Sequence, residues 1–145
     1  MKRAQALPRA DYPRFYTLDT RWADNDIYGH INNVVYYAYI DSVINRFLIE
    51  EGKLDIASGS IVGFVVSSGC DYLSPAAYPD VLEAGLRVEH LGNSSVRYGV
   101  GIFRRGEESP CAQGFSVHVF VARPDNRPVP LPAQLRRALE TLLVD

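Results

Sequence analysis

The sequence predicts an α+β domain in which one long helix is wrapped by a curled, largely antiparallel sheet of about five strands, with a short second helix at the end of the chain. Three observations carry this prediction. A stretch starting at Asn33 takes up helical periodicity and is apolar on all sides for its first two turns. Four strand-like segments follow it. The breaks between those segments are short turns, which join antiparallel neighbours rather than parallel ones.

The first dozen residues read as a loose arm, so 1–13 is expected to be a flexible lead into a single domain spanning 1–145. A short strand is expected over 15–23. The helix is expected over 33–51. Its opening, VVYYAYI, calls for burial on every side; beyond it, Asp41, Ser42, Asn45, Arg46 and Glu50 form a polar stripe against Val43, Ile44, Phe47 and Leu48. Gly52 is placed to stop it.

Of the four strands, 61–73 is nearly continuously apolar and then small and polar. In the next, Leu82, Ala84, Leu86 and Val88 alternate with Glu83, Gly85, Arg87 and Glu89. Val96, Tyr98, Val100 and Ile102 alternate in the third. In the fourth, Phe115, Val117, Val119 and Val121 stand opposite Ser116, His118 and Phe120. SPAAYPD, LGNSS and RRGEESP supply turn residues between them. From Pro132, a short amphipathic helix carries Leu135, Leu139, Leu142 and Leu143 on one face.

At 145 residues, 47% of them apolar, the chain has material for one real core. Its formal charge of −2 offers no nucleic-acid surface, so an anionic substrate would have to be met by a few local groups. Cys70 and Cys111 have no CxxC spacing, which speaks against a zinc site or redox dithiol. With no secretory h-region, the reading is a cytoplasmic protein with both thiols free. The longest apolar run, 34–40, is too short to span a bilayer.

Residues 21–37, RWADNDIYGHINNVVYY, are dense in polar groups and run straight into the buried helix. The first N–H groups of a helix lack internal partners and carry partial positive charge. A thioester carbonyl placed there would be polarised as charge builds on its oxygen. A nearby carboxylate could attack its carbon or deprotonate a water that does. Asp26 lies seven residues before Asn33, and Gly29 permits the bend that would bring it back. Taken singly, these residues are also ordinary cap and turn formers: Asn32 is the default N-cap, Asp24 reads as structural, and His30 could be a satisfied histidine.

The string RWADNDIYGHINNVVYYAYID resembles the signature of the hotdog-fold thioesterases of the 4-hydroxybenzoyl-CoA thioesterase type: an aspartate-x-aspartate step, Gly-His, Asn-Asn, and aromatics on the long helix. The later strand pattern extends the resemblance over almost the whole chain. It implies hydrolysis of an acyl-CoA thioester without metal or other cofactor. Asp26 corresponds to the family's catalytic carboxylate, as nucleophile or general base. The backbone N–H of Asn33 corresponds to the carbonyl-polarising donor. His30 and Asn32 correspond to pocket positions, and Tyr36 and Tyr37 to aromatics near the acyl site. The family's homodimers, often paired into homotetramers, place the site at the subunit interface, so Ser67, Ser68 and Gly69 would close it from the partner chain. The chain departs from some relatives at HLGNSS, where they carry basic residues for the CoA phosphates; Arg87 and Arg97 are near in sequence only.

Other readings fit less well. An acyl-carrier-protein thioester remains an alternative substrate. An enoyl-CoA hydratase usually sets its Asp and His at a longer spacing than Asp26 and His30. A non-catalytic acyl-CoA binder has no need of the carboxylate. No GxSxG elbow is present for a serine nucleophile. Asp24, Asp26 and His30 match no standard zinc pattern. Cys70 reads as a packed small hydrophobe, and Arg104 and Arg105 as a solvated strand end.

Overall fold

The computed structural model describes residues 5–144. Strand β1 (Arg14–Asp19) leads to helix α1 (Asn33–Glu50), then to β2 (Ile61–Tyr72), β3 (Val81–Leu91), β4 (Ser95–Arg104), β5 (Ala112–Ala122), a two-residue β6 (Arg127–Pro128) and α2 (Ala133–Glu140). The strands form one antiparallel sheet in the order β1-β3-β4-β5-β2, with β6 paired to the end of β5. The sheet curls around α1, as the resemblance implies. β1 and β2 are its edges.

Val43, Ile44, Phe47 and Leu48 of α1 are buried against Leu82, Leu86, Val100 and Ile102 of the sheet. Each such side chain leaves water almost completely, and truncating one to alanine costs about 2–5 kcal/mol. The amino-terminal turns are not enclosed on every side as expected. Tyr36, Tyr39 and Ile40 are buried, but Val34 is 68% exposed and Tyr37 39% exposed. The sheet ends at β2 before it reaches that flank. β2 is itself bare in its middle, where Phe64, Val65 and Val66 are exposed and Val66 is bulged out of register with β5.

Several local expectations shift. β1 stops at Asp19, and a 3-10 turn over Trp22–Asp24 replaces its predicted end, because the Asp24 carboxylate accepts from the Arg21 N–H at 2.9 Å and curls the chain. At the end of α1 the left-handed residue is Lys53 (φ 57°), not Gly52. Gly52 is required for space, since a Cβ there would stand 2.6 Å from Leu135 Cδ1. In β5 the buried face is Ser116, His118 and Phe120, while Phe115, Val117 and Val119 are half-buried on the outer face. In the terminal segment Leu135, Leu139 and Leu142 are buried as expected. Leu143 lies past the helix and is exposed, because the chain there turns to bridge Val88.

The segment read as an arm is, from Gln5 onward, laid on the outer face; its first four residues lie outside the described ones. Arg9 pairs with Glu83 at 2.7 Å and covers the Phe103 ring. Tyr12 rests on Gly85 and Gly101, which are register partners; a Cβ on Gly85 would come within 2.6 Å of its ring and one on Gly101 within 2.7 Å. No helix among the described residues is long and apolar enough to cross a membrane.

Candidate active site

The loop between β1 and α1 is a tight hairpin. The Asp26 N–H donates to His30 O at 2.9 Å, the Gly29 N–H donates to Asp26 O at 3.0 Å, and Asn25 bridges Ile31. Gly29 sits at φ 82°, which a side-chain-bearing residue adopts at a cost. The expected bend is therefore present, and it brings Asp26 back towards the start of α1.

Asn32 makes the connection. Its Oδ1 accepts from the Val34 N–H at 2.9 Å, a regular N-cap, and its Nδ2 donates to Asp26 Oδ2 at 3.3 Å. The other carboxylate oxygen accepts from the Tyr28 N–H at 2.9 Å. The Val35 N–H donates to Asn32 O at 2.9 Å, and among the described residues no hydrogen bond is made by the Asn33 N–H. One side chain thus fixes the carboxylate and the positive end of the helix relative to each other.

Both face one cleft of about 430 Å³, lined by Asp26, Tyr28, His30, Ile31, Asn33 and Tyr36, with Tyr72 through Pro75 opposite. His30 is exposed at its mouth. Of the residues singled out from sequence, Asp26, His30, Asn33 and Tyr36 line this cleft and Asn32 braces it. Tyr37 and Ser68 line a separate cleft between α1 and β2. Within a single chain Ser67, Ser68 and Gly69 do not reach Asp26's cleft.

The opposite wall, residues 74–80, is stitched to the loop. The Ile31 N–H donates to Ala76 O at 2.8 Å, and the Tyr78 N–H to Asn25 Oδ1 at 2.9 Å. Arg104 is part of this construction and not a solvated strand end. Its guanidinium donates to Pro75 O and to Ser74 Oγ while Glu107 neutralises it. Nothing in the local sequence marks it, because its partners lie thirty residues upstream.

Asp24 is structural, as expected. Its side chain has no solvent exposure; Arg21 pairs with it at 2.8 Å and the Tyr39 hydroxyl donates to it at 2.6 Å. Burial alone would raise its pKa, but the Tyr39 and Arg21 hydrogen bonds outweigh it and hold the carboxyl below the usual range. Burial pushes the Cys70 and Cys111 thiols up to about 11, so neither is an activated nucleophile. Arg87 and Arg97 both pair with Glu89, and Arg97 stacks on Phe115, so neither is a bare cation.

Residues 20–139 match the family model of the thioesterase-like superfamily. The structure is similar to that of PA5185 from Pseudomonas aeruginosa strain PAO1, with a TM-score of 0.95 and 51% identity over 97% of this chain and 99% of that one. It is also similar to PA2801, a thioesterase candidate from Pseudomonas aeruginosa, with a TM-score of 0.81 and 26% identity over 93% and 99% of the two chains. Among curated proteins it is 28% identical to the uncharacterized protein YsmA of Bacillus subtilis (strain 168), covering 83% of this chain and 81% of the relative.

Proposed function

The chain belongs to the thioesterase-like superfamily, with the hotdog fold, and from that premise we propose that it hydrolyses an acyl-CoA thioester to the free carboxylic acid and CoA. The observation that carries the proposal is the Asp26–Asn32–helix connection, which sets a carboxylate and an unpartnered helix N–H in one cleft.

In the reaction, the thioester oxygen lies at the Asn33 N–H. Asp26 removes a proton from water as the water oxygen adds to the carbonyl carbon, and the resulting oxyanion is held by the helix terminus. Collapse breaks the C–S bond, and the departing thiolate takes up the proton. In the covalent variant Asp26 itself attacks, forming a mixed anhydride that water then opens. Asn32 orients the carboxylate in both routes, and His30 at the mouth orients water. Water is the sole co-reactant of the proposed route, which calls on no metal or cofactor. In a single turnover in oxygen-18 water, label found in Asp26 would establish the covalent route, with water opening the anhydride at the Asp26 carboxyl carbon.

A homodimer belongs to the same reading. Phe64, Val65 and Val66 form an exposed apolar stretch on an edge strand, the kind of edge that pairs with another chain. A second copy along β2 would cover the open flank of α1 and carry its own Ser67, Ser68 and Gly69 towards the site. The free thiols of Cys70 and Cys111 fit a reducing, cytoplasmic setting.

The test is Asp26→Asn and Asp26→Ala against a panel of acyl-CoAs, read as thiol release. Loss of a positioned acid–base carboxylate lowers turnover by about a hundredfold or more. Near wild-type turnover in either variant would remove Asp26 from the chemistry.

A further inference from the structure

The wall opposite Asp26 is held from the end of β4. Arg104 closes a two-point grip on Glu107, with Nε donating to Oε2 at 2.7 Å and Nη2 to Oε1 at 2.9 Å. That grip fixes the plane of the guanidinium. Its other N–H groups reach two residues that line the cleft: Nη1 donates to Pro75 O, and Nη2 to Ser74 Oγ at 3.3 Å. Pro75 has no N–H, so its carbonyl is the one backbone group by which it can be held. The Ser74 N–H is already committed, donating to Cys111 O at 3.1 Å.

A hydroxyl has one proton to give and two lone pairs with which to receive. On Ser74 one lone pair takes the Arg104 N–H, and the proton finds no acceptor among the described residues. The cation repels that proton and turns it away from the guanidinium, and the bond it donates strengthens the hydroxyl as a donor in its turn. The other hydroxyl on this wall is spent: Tyr72 donates to Asn33 O at 3.0 Å. Ser74 is only partly covered and stands in the wall of the cleft, so what its hydroxyl lacks is an acceptor brought in by a ligand.

We infer that Ser74 binds the substrate, donating its hydroxyl proton to an oxygen of the thioester other than the one at the Asn33 N–H, and that Arg104 is the positioning residue that aims it. This rests on the thioesterase reading and goes beyond it. The proposed chemistry assigns the thioester oxygen to the Asn33 N–H and the attacking water to Asp26. The acceptor is therefore a carbonyl or hydroxyl oxygen away from the reacting carbon. Two parts of a substrate carry one: the CoA arm, through its amide carbonyls, and an acyl group that bears an oxygen of its own. The grip needs arginine. A lysine keeps the charge but loses the planar fork that serves Glu107, Ser74 and Pro75 together.

The experiment takes an acyl-CoA that the panel above shows to be turned over and its hydroxylated counterpart, such as butanoyl- and 3-hydroxybutanoyl-CoA or benzoyl- and 4-hydroxybenzoyl-CoA. It measures kcat and KM by thiol release for wild type, Ser74→Ala, Arg104→Lys and the double variant, with thermal unfolding of each. An interaction away from the reacting bond is made equally in the ground state and the transition state, so its loss raises KM and spares kcat. Ser74→Ala is expected to raise KM about fivefold at unchanged kcat, the scale of one hydrogen bond, with an unfolding midpoint close to that of wild type. A rise with the unhydroxylated thioester puts the acceptor on the CoA arm; a rise confined to the hydroxylated one puts it on the acyl group. Arg104→Lys is expected to raise KM at least as much, and the double variant no further than Arg104→Lys alone. Unchanged KM in Ser74→Ala with both thioesters overturns the inference. So does a fall in kcat in its place, which would set the hydroxyl at the reacting carbon. A double variant whose KM shows the full product of the two single effects removes Arg104 from the positioning role. In each of these cases hydrolysis itself stands. If wild type releases thiol from no member of the panel, the thioesterase reading falls and the substrate contact at Ser74 with it.

Discussion

The Tyr39 hydroxyl donates to Asp24 Oδ2 at 2.6 Å, tying the second turn of α1 to the chain just ahead of the Asp26 hairpin. The carboxylate is fully buried, and Arg21 is its other partner. Two consequences can be measured. Tyr39→Phe removes one donor from a buried charge and lowers stability by about 1–3 kcal/mol. Because the folded-state pKa of Asp24 is depressed, its contribution is complete above the unfolded carboxyl pKa of about 3.9 and is lost as pH falls through the lower folded value. Urea denaturation of wild type and Tyr39→Phe from neutral pH downward should show the gap between them narrowing below about pH 4. Equal midpoints at neutral pH would show that the bond contributes nothing.

Asn32 joins the helix cap to Asp26, and two substitutions separate those tasks. Asn32→Ala loses both, with a stability cost of about 1 kcal/mol and a fall in kcat/KM. Asn32→Asp keeps the capping oxygen but sets a second carboxylate against Asp26 in place of the donor. It should retain most of the stability and lose most of the activity. Full turnover in Asn32→Asp would mean that the side-chain bond does not orient Asp26.

His118 is 2% exposed, and neither ring nitrogen has a partner among the described residues. It packs edge-on to Tyr98 with Gly63 close to Nδ1, and Asp41 is the charged group that acts on it. Burial lowers its pKa below the usual 6.5, and Asp41 opposes this in part. The unfolded chain therefore binds a proton that the folded one refuses. Stability falls as pH drops from about 6.5 towards the folded value and gains no further slope from His118 below it. His118→Phe removes an unsatisfied polar ring, so its melting temperature should exceed that of wild type at about pH 5 by more than at about pH 8. A constant difference across that range would rule out titration of His118.

The β2 edge carries the dimer reading, and Val66→Asp tests it at a bulged, 59%-exposed position outside the Asp26 cleft. Sedimentation should find wild type at twice the mass of the chain and the variant at one, with the variant's folded spectrum intact. A monomeric wild type, or a dimer that Val66→Asp leaves untouched, would place the interface elsewhere or abolish it.

The long helix, the four later strands and the convergence of Asp26 with Asn33 were legible because each is written in neighbouring residues: a period, a cap, a glycine at a bend. The burial of β5 was not. Its larger apolar residues, Phe115, Val117 and Val119, lie outward beneath Arg97 and neighbouring chain, and the mixed set Ser116, His118 and Phe120 faces the helix. Alternation reveals that a strand has two faces but not which one meets the core. The openness of the first turns of α1 was hidden for a similar reason. An apolar surface looks the same in sequence whether the chain's own sheet covers it or a partner would. Arg104 was invisible because its role depends on Ser74 and Pro75, brought to it only by the β3–β4 hairpin and the turn before it.

The seat of Tyr12 bears on how copies of this chain can accumulate. Stacking two such sheets back to back requires bare strands, and here an aromatic ring already occupies the dip left by two opposed glycines. An alanine at Gly85 or Gly101 would evict it, so the opening residues and the β3–β4 hairpin are constrained to evolve jointly. A second copy stacked on the back of the sheet would therefore meet the Tyr12 ring and the opening residues and not bare strands.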